Sequence, residues 1–166
     1  MKVKTIFHLA LGALVTAAAV NSAQADELPM LKAGLWEQKS SRPMPGAPKS
    51  NVRVEINTRV CVDQTIAKNH RNKVLTNDED TCPKQVVKKT ATGYAIDSVC
   101  TDAAIGLTET RHTEIIGDFN SGYTSKSTSH SEGKNNWRQD ESETDSFKYL
   151  GDCPAGWKPG EVKMLN

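Results

Sequence analysis

Residues 51–62 read NVRVEINTRVCV. Val52, Val54, Ile56, Val60 and Val62 share one parity, and Arg53, Glu55, Asn57 and Arg59 the other. Side chains alternate across a strand, so the segment predicts a β-strand with one buried and one wet face. Cys61 falls on the wet parity. Either a disulfide lies on that face or a bulge reverses the register before it. Downstream, Asp63 is a candidate N-cap for a helix over 64–75, whose Ile66, Ala67, His70, Val74 and Leu75 make a narrow apolar stripe. Upstream, the segment 41–50 carries Pro43, Pro45, Gly46 and Pro48, which end a first strand opened by Ala33–Glu37.

Beyond an acidic loop at 76–81, Lys84–Thr90 and Tyr94–Thr101 form a hairpin turning at Thr92-Gly93. Three long polar segments follow: Ile105–Ile116, Tyr123–Ser131 and Asn136–Tyr149, joined through Gly117–Gly122 and Gly133–Asn135. Their Ser/Thr content and turn spacing read as an antiparallel meander. The expected fold is mainly β: a curved antiparallel sheet or partly open barrel of about seven strands, one short helix and two disulfides.

The first 25 residues follow an export pattern. Lys2 and Lys4 precede an apolar run from Ile6 to Val20, and Ala23-Gln24-Ala25 matches a small-x-small cleavage site. The run of about 15 residues is short of the ~20 that span a bilayer. The sequence thus predicts a signal peptide at 1–25, a single β-rich domain at 26–154 and a C-terminal tail at 155–166, acting in a periplasm or secreted. No second apolar run follows, so no membrane insertion is expected after cleavage. Losing two lysines leaves 19 bases against 20 acids. Such a balance gives no field to draw in nucleic acid. Leu, Ile, Val and Phe number only 24 of the 141 residues from 26 to 166, so the core is thin and needs staples.

All four cysteines, Cys61, Cys82, Cys100 and Cys153, lie in the mature part. An even count in an exported chain reads as two disulfides, and the nearest pair is 18 positions apart, unlike the close pairs of zinc sites. Strand parity favours one of the three connectivities. If the helix after Cys61 crosses the sheet, Cys82 and Cys100 meet at the far end, while Cys153 returns to the end that holds Cys61. Cys61–Cys153 and Cys82–Cys100 follow.

The order of Lys32-Ala-Gly-Leu-Trp-Glu37, Met44-Pro-Gly46, Cys61-Val-Asp63, the Cys82…Cys100 hairpin and Tyr149-Leu-Gly-Asp-Cys-Pro154 resembles the domain-of-unknown-function 3617 family of exported bacterial proteins. The resemblance covers residues 32–154. It implies a compact secreted β-rich domain and carries no activity or catalytic residues. Many relatives have Met- and Thr-rich later strands, whereas Ser, Lys, Glu and Asp dominate Ser121 to Glu143 here.

No nucleophile elbow, H-E-x-x-H or phosphate-cradling glycine loop occurs. No catalytic residue, metal ligand or cofactor is therefore assigned. His112-Thr-Glu114 and His130-Ser-Glu132 are two His-x-Glu pairs, each on one strand face. Pairing through a Gly117–Gly122 turn places His112 opposite Ser127 and His130 opposite Glu109, an offset of three positions, too far for one metal. Asp140, Glu141, Glu143 and Asp145 split between faces, with cross-strand pairing to Lys126 or His130 the simpler account than a cation site. Trp137, Trp157 and Tyr123, with His112 and His130, are the candidate binding surface. Trp36 belongs in the core.

These observations favour a monomeric, non-catalytic binding or interaction module of the cell envelope, its partner an envelope component or a small ligand. An inhibitor of a secreted or cell-wall enzyme, using the rigid loop Arg42–Lys49, is the alternative. An enzyme of unknown reaction is a third. The export reading has a direct test: N-terminal sequencing of the exported protein is expected to begin at Asp26, and a chain starting at Met1 in the envelope fraction would contradict it.

Overall fold

The computed structural model describes residues 26–44, 52–75 and 81–165. Eight strands form one antiparallel sheet in the order β3-β4-β5-β6-β7-β1-β2-β8, which does not close into a barrel. In chain order they are β1 (Gly34–Pro43), β2 (Arg53–Val62), β3 (Thr81–Lys89), β4 (Gly93–Asp102), β5 (Leu107–Asp118), β6 (Gly122–Glu132), β7 (Arg138–Gly151) and β8 (Val162–Met164). One helix, α1 (Gln64–Leu75), joins β2 to β3.

Every neighbouring pair is antiparallel, so β2 and β3 run the same way although they lie toward opposite edges. The chain must therefore return the length of a strand between them, and α1 is the crossover. Asp63 starts it, its Oδ1 accepting from the Ile66 amide at 2.8 Å. The helix lies against the inner face of the sheet, with Ala67 buried and Ile66, Val74 and Leu75 packed on the core.

Strand directions set the disulfides. Cys61 is bonded to Cys153 and Cys82 to Cys100, the pairing that parity gives. The β1–β2 register is unbroken from Gly34↔Val62 to Pro43↔Arg53, so no bulge precedes Cys61. The bridge lies on the face turned away from Trp36. Around it the chain is held by hydrogen bonds from the Cys61 amide to the Glu161 carbonyl and from the Gly160 amide to the Cys61 carbonyl. The segment read as a tail thus returns to the sheet, where Val162 pairs with Val60.

The apolar core occupies one end of the inner face. Trp36 is fully buried and donates from Nε1 to the Lys32 carbonyl at 2.8 Å. Phe119, Tyr123 and Phe147 stack in sequence, with ring centroids 4.6 Å apart at each step. Leu28 and Leu31, in the short lead before β1, are buried in the same cluster. Asp26 ties that lead to the β3 edge, donating from its amide to Val87 and accepting from the Lys89 amide.

One expected register is off by a residue. Asp118, not Gly117, faces Gly122, so His112 lies opposite Thr128 and His130 opposite Thr110. The reason is local. Asp118 closes the turn by accepting from the Asn120 and Ser121 amides, both at 2.7 Å. Gly117 has φ +116°, and a Cβ there would sit 2.4 Å from the Gly122 carbonyl oxygen.

The two bonds close loops with sequence separations of 92 and 18 residues. By chain entropy they stabilise by about 4–5 and about 3 kcal/mol respectively. Replacing Cys61 and Cys153 together by Ser is expected to lower the denaturant midpoint more than replacing Cys82 and Cys100. Equal midpoints for wild type and both double variants would refute the dependence on staples.

Candidate functional site

Past the core, the same inner face turns polar. Between α1 and the strands lies a groove of about 340 Å³. His70, Lys73 and Val74 reach it from the helix, and Gln38 from β1. Thr113 and Arg111 come from β5, and Ser125 and Ser127 from β6. Glu143 and Asp145 face it from β7, while Tyr123 and Phe147 form the boundary with the core. The placement follows from register: Thr113, Ser127 and Glu143 lie in one cross-strand row, and Ile115, Ser125 and Asp145 in the next. Alternation sends all six to the helix side.

The walls are cross-linked. Thr113 Oγ1 and Ser127 Oγ are 2.9 Å apart, and Ser40 donates from Oγ to Glu143 Oε1 at 3.2 Å. Arg111 donates from Nε to Glu109 Oε1 at 2.7 Å. At the core boundary, His70 Nε2 lies 2.6 Å from the Tyr123 hydroxyl, and the imidazole meets the Phe147 ring edge-on with centroids 5.0 Å apart. Burial, with a smaller push from Lys73, holds His70 down to about pH 4, so the ring is neutral at ordinary pH. Burial, and then the Asp145 charge, raise the Tyr123 hydroxyl well above its usual range. Glu143 is raised as well, by burial first and Asp145 second. The groove therefore presents two carboxylates, Glu143 and Asp145, together with the Lys73 ammonium and the Arg111 guanidinium that Glu109 holds.

A family model described as a protein of unknown function, DUF3617, matches residues 31–153. The chain belongs to this family. The matched span takes in β1 to β7, α1 and all four cysteines. No match was found among the curated proteins or among the solved structures.

In this DUF3617 domain the five residues read as a candidate binding surface do not share a face. Only Tyr123 borders the groove. His112 and His130 stand on the opposite face of the sheet, offset by two positions rather than three. They turn apart, with Nδ1 of His112 2.7 Å from Asp97 Oδ1 and Nδ1 of His130 2.6 Å from Asp140 Oδ1. The hydrogen bonds that the imidazole donates to Asp140, then to Glu132, raise the His130 pKa. Among the described residues no three His, Cys, Asp or Glu side chains gather to hold a metal ion. Trp137 is half exposed at the β6–β7 connection beside Ile105 and Leu107. Trp157 lies near the opposite end of the sheet, with the Lys163 ammonium 4.2 Å from its ring centroid. Of the acidic stretch, Asp140 pairs with His130, while Glu143 and Asp145 enter the groove.

His70 was read from sequence only as part of an apolar stripe, and Gln38, Arg111, Thr113, Ser125 and Ser127 carried no motif. A signal for them exists. They occupy the parity that is apolar at the other end of each strand, so polar residues there face an interior.

The neutral imidazole gives folding a pH dependence. The unfolded chain takes up a proton as pH falls through about 6.5, whereas folded His70 does so only near 4. Stability attributable to this residue is thus intact above about 6.5 and is lost between 6.5 and 4, up to about 2–3 kcal/mol after allowance for partial exposure. Glu143 acts with the opposite sign, because its raised pKa favours the folded state as pH falls. The difference between wild type and His70→Gln isolates the imidazole. Chemical denaturation from pH 7.5 to 4 is expected to show a steeper acid loss in wild type, and parallel curves would reject the assignment.

Proposed function

We propose that the chain is exported through removal of residues 1–25, and that its domain binds a small polar molecule in the groove between α1 and the sheet, without transforming it. The observation that carries the reading is the polar half of the inner face. A helix laid on a sheet ordinarily seals apolar surface, whereas here it stands over hydroxyl, amide and carboxylate side chains that border an open groove. The groove falls within the roughly 300–1,000 Å³ range of small-molecule sites. Its polar walls, unlike those of most such sites, call for a hydrogen-bonding occupant.

Two disulfides support an oxidising compartment, as do the charged start and Ala-x-Ala site of residues 1–25. No described helix is long and apolar enough to cross a membrane. A periplasmic or secreted domain, working as a binding module, fits these features together. The inhibitor reading rests on the loop Arg42–Lys49, of which residues 45–49 lie outside the described residues.

Native mass spectrometry tests the reading. After incubation with envelope extract, wild-type protein is expected to carry a small-molecule adduct of discrete mass. Ser127→Trp, which fills the groove, should lose it with both disulfides intact. An unadducted wild type, or the same adduct on the variant, would overturn the groove as the binding site.

A further inference from the structure

The groove's chemistry narrows the class of its occupant, an inference that rests on the binding reading above. We infer that the ligand is a neutral saccharide, held by Gln38, Arg111, Ser125, Ser127, Glu143 and Asp145.

Charge is the first discriminator. The groove is lined by Lys73, by Arg111 ion-paired to Glu109 at 2.6 Å, and by two carboxylates, Glu143 and Asp145. An organic cation would meet the Lys73 ammonium as well as its carboxylate partners, and an anion would meet Glu143 and Asp145. A neutral occupant meets no like charge. An apolar one would strip water from these groups and give no hydrogen bond in return.

Hydrogen-bonding capacity is the second. The walls mix pure acceptors, pure donors and groups that do both: carboxylates, guanidinium and ammonium, and the Gln38 amide with the serine hydroxyls. Sugar hydroxyls donate and accept at once, so one molecule can satisfy all three kinds. The Asp145 carboxylate and the Gln38 amide each offer two atoms to a pair of neighbouring hydroxyls. Val74 and the rim of the Phe147 ring provide the small apolar contact that a sugar's C–H face needs.

Position is the third. The hydroxyl and carboxylate residues project from adjacent strands in fixed register, Ser127 opposite Glu143 and Ser125 opposite Asp145. Their spacing is set by the sheet and needs no loop to order on binding, which lowers the entropy cost of recognition.

Chemical-shift titration of ¹⁵N-labelled protein tests the inference, with glucose, N-acetylglucosamine and N,N′-diacetylchitobiose as neutral probes and spermidine and citrate as charged ones. At least one neutral sugar is expected to shift the Ser125, Ser127 and Asp145 amides, and Ser127→Leu should weaken it by about ten-fold or more. Thr124→Ala, on the other face, should leave binding unchanged. Tighter binding of the disaccharide would point to a glycan chain, and equal binding to a free sugar. Release of reducing ends would keep the saccharide and replace the non-catalytic reading. Shifts from spermidine or citrate with none from the sugars would overturn the ligand class while leaving the groove a site. Silence from every probe would overturn the saccharide, and the adduct experiment then decides the groove separately.

Discussion

A chain that leaves β2 at one end of the sheet and enters β3 pointing the same way has to travel back, and α1 makes that journey across the inner face. This one passage fixes much else. It places the helix over the concavity and puts Cys61 and Cys82 at opposite ends, so each finds its partner where a later strand returns. It also limits what can be covered. Twelve helical residues span about 18 Å, whereas a ten-residue strand runs about 33 Å. One helix cannot roof the full length of the inner face.

The division of that face into core and groove follows. The start of α1 brings Ile66 and Ala67 down among Trp36, Val62 and the stacked rings, where the scarce apolar residues are spent together. His70 stands at the boundary, neutral and bonded to Tyr123, with aromatic carbon on one side and polar wall on the other. Beyond it the strands carry hydroxyls and carboxylates, which the helix leaves in contact with an open groove. A continuous apolar interior would have demanded more Leu, Ile, Val and Phe than the chain has.

How much of this was legible depended on whether the information was local. The β2 strand and the Asp63 cap are nearest-neighbour features that stand in the structure as read, although Cys61 is buried on the parity read as wet and Val52 is exposed. The disulfide pairing was accessible because strand parity is a topological property that small errors in strand ends leave intact. The β5–β6 register was not, because it turned on whether Gly117 or Asp118 opens the turn, and only the Asp118 side-chain bonds decide that. Leu28, Leu31 and β8 escaped for another reason. Each is too short to show a period, and each gains its place only from a surface assembled elsewhere. The groove is the same problem on a larger scale: nine residues from four strands and three from the helix line it, and no stretch of sequence contains it. Trp137 and Trp157, conspicuous in sequence, stand far from it.

The Cys61–Cys153 bond has a mechanical meaning. The described chain ends at opposite edges of the sheet, Asp26 bonded to β3 and Leu165 bonded to Asn57 of β2. Tension applied through these ends reaches the covalent bridge after peeling β1, β2 and β8, and there it bypasses everything between residues 61 and 153. The strands β3 to β7 and the helix carry no load while that bond holds. Most of the groove would ride through a pull that strips away only the wall supplied by β1.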